Sequence, residues 1–279
     1  MLVDVHSHIY RVDDSIVERM VQRSKEAEVY IINCCHDCSN PYDVDRTINI
    51  SKRFDNVFSS FGFYYFSGDR FANLKLLVNE DTLRRSIETI EDLAKKEDKV
   101  VAIGEVGLNY MKATSEPEQQ KQKEILERFV ALSDEVDLPL IVHTSGNAVG
   151  DAIRILKEKE RPAVLHGFQG SLEQAKEAIS FGCLIAIWPT ITYSKYLQKL
   201  VKNLPLDAIA FETDSPTVSP SNAPLGSLAH HVPIPGIAST EPVHITITAK
   251  EVAKIKDIAL AEVEQVTTES AKELFHLTI

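Results

Sequence analysis

No apolar run in the chain approaches the roughly 20 residues that a membrane-spanning helix needs, so nothing in it reads as a span. The first ten residues, MLVDVHSHIY, lack the basic start and apolar stretch of a secretory signal. Cysteine is scarce: there are four, and three are crowded into Cys34-Cys35-His36-Asp37-Cys38, unlike the dispersed framework of a disulfide-stapled secreted protein. Reduced thiols and a cytoplasmic location are the expectation. Basic residues are outnumbered, 30 Lys and Arg against 41 Asp and Glu, and the net charge of −11 argues against broad nucleic-acid binding through clustered cations. A small nucleic-acid site stays open, and part of the acidic excess suits carboxylates whose charge divalent ions balance.

What is present is the composition of an ordinary soluble protein, 44% apolar and 25% charged over 279 residues. That length is enough to bury a sizeable core without disulfides, and one domain over residues 1–279 is expected. Apolar, β-branched segments alternate with amphipathic ones along most of the chain, the pattern of a parallel sheet. Strands are expected at residues 2–6, 29–33, 57–63, 100–105, 140–143, 163–166, 184–187 and 208–211. Helical stretches, with apolar residues three or four apart, lie at 14–27, 81–96, 117–136, 147–159 and 171–181. Eight strands alternating with helices close into a (β/α)₈ TIM barrel, the favoured architecture, with a doubly wound open sheet as the alternative. Residues 215–242 hold six prolines and read as a long loop after the eighth strand; 243–275 reads as two closing helices.

His6-Ser7-His8 is the first chemical signal. Alternate residues of a strand project to one side, so two imidazoles at this spacing reach one metal. The pattern alone recurs by chance, but four more ionisable residues fall at or just past expected strand ends: Glu105, His143, His166 and Asp214. Each follows an apolar run (VVAIGE, LPLIVH, PAVLH, AIAFETD), where a buried polar group costs several kcal/mol unless it is paired or bound. Singly, each has a structural alternative: a hydrogen-bonded core histidine, or for Asp214 a cap on the turn before Ser215-Pro216. In a barrel, however, all these strand ends meet on one face.

Four imidazoles and two carboxylates exceed the needs of one tetrahedral ion that keeps an open position. The set suits two divalent ions (Zn, Mg or Mn), with His6, His8 and Asp214 on one, His143 and His166 on the other, and Glu105 bridging. Such a pair activates a shared water and clamps a developing oxyanion. Glu105 and Asp214 are the expected catalytic residues, Asp214 as the general base.

At these residues the chain resembles the TatD-related metal-dependent hydrolases of the amidohydrolase-like barrel superfamily. The matching stretches are DVHSHIY, AIGEVGLNY, QKEILERFVALSDEVDLPLIVH, AVLHGFQGSLEQAKEAISFGCLIAI, AFETDSP and TTESAKELF, spread from residue 2 to residue 275. The resemblance implies a barrel with two divalent ions that hydrolyses phosphodiesters, chiefly as a deoxyribonuclease, and it makes Glu105 the bridge. DNA or nucleotides are the substrate it implies; no membrane or obligate protein partner is indicated.

The chain departs from the family pattern on the substrate side. Tyr64 stands where a phosphate-facing histidine is usual, Ser145 lies in a segment that usually carries an arginine, Asn109 replaces an aspartate, and Gly167 and Gln169 alter the run after the sixth strand. Arginine grips phosphate through a planar fork that Ser145 lacks, so a weaker hold on a nucleic-acid backbone is expected. Lys112 is the remaining basic candidate for a phosphate contact. Tyr64 and Trp188, with Tyr65, offer aromatic faces at the same rim, to stack on a base or to pack under a loop.

Other signals are weaker. Cys35-x-x-Cys38 has no partner pair and reads as structural. His36, at the rim after the second strand, reads as a surface residue, with an approach to substrate as the alternative; His230-His231 read as a solvated pair, with substrate contact from the long loop as the alternative; His244 and His276 read as structural. A competing chemistry, hydrolysis of an amide, lactone or ester in a small molecule, fits the same metal set, and a binding protein without turnover is a third reading.

Overall fold

Eight short apolar segments form strands: β1 Leu2–Ser7, β2 Val29–Cys35, β3 Val57–Phe61, β4 Val100–Asn109, β5 Leu140–Ser145, β6 Ala163–His166, β7 Leu184–Ile187 and β8 Ile209–Phe211. Each pairs in parallel with the next, and Asp4 of β1 pairs with Phe211 of β8, which closes the barrel. The expected (β/α)₈ TIM barrel is the observed fold. The computed structural model describes residues 1–63, 79–216 and 239–279. Tyr64, Tyr65, His230, His231 and most of the expected loop at 215–242 lie outside the described residues.

Around the strands run α1 Asp14–Glu26, α2 Pro41–Arg53, α3 Glu80–Lys96, α4 Glu116–Val136, α5 Val149–Glu158, α6 Leu172–Ile179 and α7 Lys195–Asn203, followed by α8 Ile245–Lys256 and α9 Leu260–Phe275. Among the described residues no helix is long and apolar enough to cross a membrane. α6 starts abruptly because Ser171 and Gln174 cap each other: Gln174 N–H donates to Ser171 Oγ (3.2 Å) and Ser171 N–H to Gln174 Oε1 (2.8 Å). That leaves only five residues, 167–171, between the end of β6 and the helix.

The core has two layers. One face of the strands packs with the helices, burying residues such as Phe61, Ile103, Phe129 and Val201. The other fills the barrel with residues such as Val3, Val5, Ile32, Phe58, Ile141, Val164 and Ala210, joined by Ala271, Phe275 and Leu277 of the C-terminal segment. Val3 and Val5 precede His6 on β1, so apolar packing fills the barrel below the level at which the histidines begin.

Candidate metal centre

Six ionisable side chains converge on one rim of the barrel. His6 lies buried in β1 and His8 just past its end; Glu105 and His143 lie in β4 and β5, His166 ends β6, and Asp214 follows β8. Register holds them level. His143 pairs with His166 across β5 and β6 and with Gly107 across β4 and β5, and the Asp214 N–H donates to the His6 carbonyl at 2.9 Å. Gly62, just past β3, reflects the crowding: a Cβ there would stand 2.1 Å from the Glu105 carbonyl oxygen, so no side chain fits beside β4 at that level.

Glu105 sits in the middle with its two oxygens turned to different histidine pairs. Oε2 lies 3.6 Å from Nε2 of both His6 and His8. Oε1 lies 2.9 Å from Nδ1 of His143 and 3.9 Å from Nε2 of His166. Asp214 Oδ1 completes the first group, 3.5 Å from His6 Nε2 and 3.2 Å from His8 Nε2. The six residues expected from the sequence therefore meet, and they divide as two groups about one carboxylate.

Three of the rings have their far nitrogen engaged. His8 donates from Nδ1 to the Cys34 carbonyl (2.7 Å), His166 from Nδ1 to Glu212 Oε2 (2.7 Å), and His143 Nε2 lies 3.4 Å from the Asn109 side-chain amide. This turns Nε2 of His8, Nε2 of His166 and Nδ1 of His143 toward the carboxylates. His6 is fully buried, and neither of its ring nitrogens has a hydrogen-bond partner among the described residues. An unsatisfied buried polar group costs about 1–3 kcal/mol, so an ion drawing on His6 removes a penalty that packing leaves in place. Imidazoles with carboxylates are also a donor set for Zn²⁺ or Mn²⁺, and the carboxylates for Mg²⁺. The residues present fit divalent metal.

Electrostatics agree with that use at Glu105, Asp214 and His8. Burial alone would raise the Glu105 carboxyl, but His143, with His166 and His6, holds it well below the ordinary range. Asp214 behaves alike: burial pushes up, and His6 and His8 beside it pull its carboxyl well below. Both are ionised at neutral pH. Burial and the nearby Arg11 lower His8 to about 4, leaving a neutral ring with a lone pair to donate. His166 goes the other way: burial is outweighed by Glu212, which raises it to about 10.

Sequence reasoning passed over three neighbours. Glu212 is fully buried, and its second oxygen accepts from the Gly167 N–H at 2.9 Å. Asp4, also fully buried, accepts from the backbone N–H (2.9 Å) and hydroxyl (2.6 Å) of Thr213, tying β1 to the segment that carries Asp214. The Cys34 thiol lies within 4.8 Å of ring nitrogens of His6 and His8. Glu212 and Asp4 were legible only as acids inside apolar runs, the same signal that marked Glu105.

The expected substrate contacts fare unequally. Trp188 is buried at the end of β7, its ring centroid 5.8 Å from that of His166. Lys112 is half-buried in the turn after β4, its N–H donating to the Asn109 carbonyl at 3.2 Å. Tyr64 lies outside the described residues. His36 corrects its reading as a surface residue: it is half-buried, 5.7 Å from the His8 ring between centroids, because the β2 rim folds it against Tyr10 and Arg11.

Comparison with known proteins places the chain. The sequence profile of the family described as TatD related DNase matches residues 3–276. Human deoxyribonuclease TATDN3 is 31% identical over 98% of this chain and 94% of its own length. The uncharacterized metal-dependent hydrolase YabD of Bacillus subtilis is 29% identical over 99% of this chain and the whole of its own. Among solved structures, YjjV, a TatD homolog from Escherichia coli, superposes with a TM-score of 0.80 at 22% identity, covering 99% of this chain and 98% of its own. A profile match across nearly the whole length, on top of a barrel with these six residues at one rim, means that this chain belongs to the TatD related DNase family.

Proposed function

We propose that this chain is a divalent-metal-dependent hydrolase of phosphodiester bonds in DNA or nucleotides, with two ions held about Glu105. The observation that carries the reading is the division of the Glu105 carboxylate, Oε2 toward His6 and His8 and Oε1 toward His143 and His166. His6, His8 and Asp214 would hold one ion and His143 and His166 the other. The deoxyribonuclease name of a relative at 31% identity supports the substrate class.

Ions bound there would supply Lewis acidity toward a phosphoryl oxygen and toward water. The protein residues do the rest. Asp214, kept ionised beside His6 and His8, accepts the proton of the attacking water at its carboxylate. Glu105 and the three hydrogen-bonded rings fix where that water and the scissile group stand, since each ring's orientation is set by its far nitrogen. Trp188, packed near His166, gives the β7 side of the rim an apolar wall.

The test is a cleavage assay on single-stranded DNA, nucleotides and a small ester or lactone, with Mg²⁺, Mn²⁺ or Zn²⁺ supplied. Metal-dependent release of nucleotides by the wild type, falling at least about a hundredfold in Asp214→Asn, is expected. Cleavage of the ester or lactone alone would move the chain to carbonyl hydrolysis.

A further inference from the structure

Beside the metal centre, between the segments that follow β1 and β2, lies a cleft of about 570 Å³ lined by Tyr10, Arg11, His36, Tyr42 and Arg46, among others. Its inner end touches the centre: the His36 ring is 5.7 Å from that of His8. The carboxylates of Asp214 and Glu105 are near enough to act on the Arg11 charge.

Arg11 is set in place there. Its Nε donates to the Tyr10 hydroxyl (3.2 Å), which shares a hydrogen bond with His36 Nδ1 (2.6 Å), and its Nη2 lies 2.9 Å from His36 Nε2. Tyr10 and His36 thus hold the guanidinium through neutral contacts, and among the described residues no carboxylate forms an ion pair with it. An Arg fixed by its neighbours but not neutralised retains N–H donors for an anion, and guanidinium suits a phosphate. Arg46 is already committed: it donates to the carbonyls of Tyr10 (2.6 Å) and Val12 and pairs with Asp14 at 2.7 Å. That pairing offsets one of three acids on the outer wall, where Asp13 and Asp43 also stand.

Tyr42 lines the same cleft and is 67% exposed, which makes it one of the most exposed large hydrophobic side chains among the described residues. An aromatic ring presented to solvent next to an anion site is the combination that holds a nucleotide, with the base stacked and the phosphate paired. The volume also falls within the range of small-molecule sites, about 300–1,000 Å³.

The geometry assigns this cleft as a subsite for a nucleotide flanking the one cleaved, with Arg11 on its phosphate and Tyr42 on its base. It rests on the proposed phosphodiesterase reading and narrows it: oligonucleotides of two or more residues are preferred over diesters with no flanking nucleotide. Arg11 and Tyr42 are binding residues here, and Tyr10 and His36 position Arg11.

The discriminating quantity is the ratio of kcat/KM for a short oligothymidylate to that for bis(p-nitrophenyl) phosphate, which reaches the metal centre without filling the cleft. In metal-loaded full-length protein, Arg11→Ala should lower this ratio about tenfold, mainly through KM, with partial recovery in Arg11→Lys. Tyr42→Ala should lower it several-fold and Tyr42→Phe restore it. An unchanged ratio in Arg11→Ala overturns the subsite. A second arm is independent of turnover: binding of a fluorescent oligothymidylate with phosphorothioate linkages should weaken about tenfold in Arg11→Ala, and equal binding overturns the assignment. Wild-type protein that binds this probe through Arg11 but cleaves no diester would strike the phosphodiesterase reading and leave the subsite standing.

Discussion

The Nδ1 of His166 is held 2.7 Å from Oε2 of Glu212, whose other oxygen accepts from the Gly167 N–H at 2.9 Å. An acid placed behind a ligating imidazole fixes its tautomer and increases its basicity. Glu212→Gln keeps the shape and removes the charge, so metal affinity in a Zn²⁺ or Mn²⁺ titration should fall about 10- to 100-fold. Unchanged affinity would mean that His166 does not act as a ligand in this orientation. The six central residues were legible in the sequence because each interrupts or ends an apolar strand, where an ionisable group needs a reason. Glu212 and Asp4 carry the same mark but act across the barrel, on β6 and on the segment after β8, and such pairings are set by register rather than by local pattern. His36 was read mainly as a surface residue for a related reason: what buries it is Tyr10 and Arg11, from the turn that follows the neighbouring β1.

At the scale of elements, strand order followed directly from the alternation of apolar segments, while strand ends drifted by a few residues. β4 runs on through Val106-Gly107-Leu108 to Asn109, which brings the Asn109 side-chain amide to 3.4 Å from His143 Nε2. α2 gave little periodic signal, since its buried face mixes Val44 and Ile48 with Thr47 and Ser51. The seam between α6 and β7 offers a test of packing. Cys183 stands there, 1% exposed, its N–H donating to the Ala178 carbonyl at 3.2 Å, and burial pushes its thiol up to about 12. A raised thiol keeps its proton in the folded state after the unfolded chain has lost it. Its effect on stability is therefore absent below the ordinary thiol value of 9 and appears as lost stability between about pH 9 and 12. In urea titrations Cys183→Ala should remove up to about 1.4 kcal/mol per pH unit from the alkaline decline. An identical slope in both proteins would show the thiol to be solvated.

For the molecule as a whole, the barrel divides its labour along the axis. Apolar residues and the C-terminal Phe275 and Leu277 fill one part of the interior, and charge collects where the strands end. All four cysteines are free and buried, so stability comes from the two apolar layers without cross-links. On the proposed reading, this acidic chain would meet a polyanionic substrate where cations intervene: the ions proposed at Glu105, and Arg11 beside them. Metal content measured on wild-type protein and on Glu105→Gln tests this most directly. Two ions per chain in the wild type, falling to one or none in Glu105→Gln with loss of DNA cleavage, is the result expected. A single ion in the wild type, or two retained in Glu105→Gln, would contradict the bridged centre.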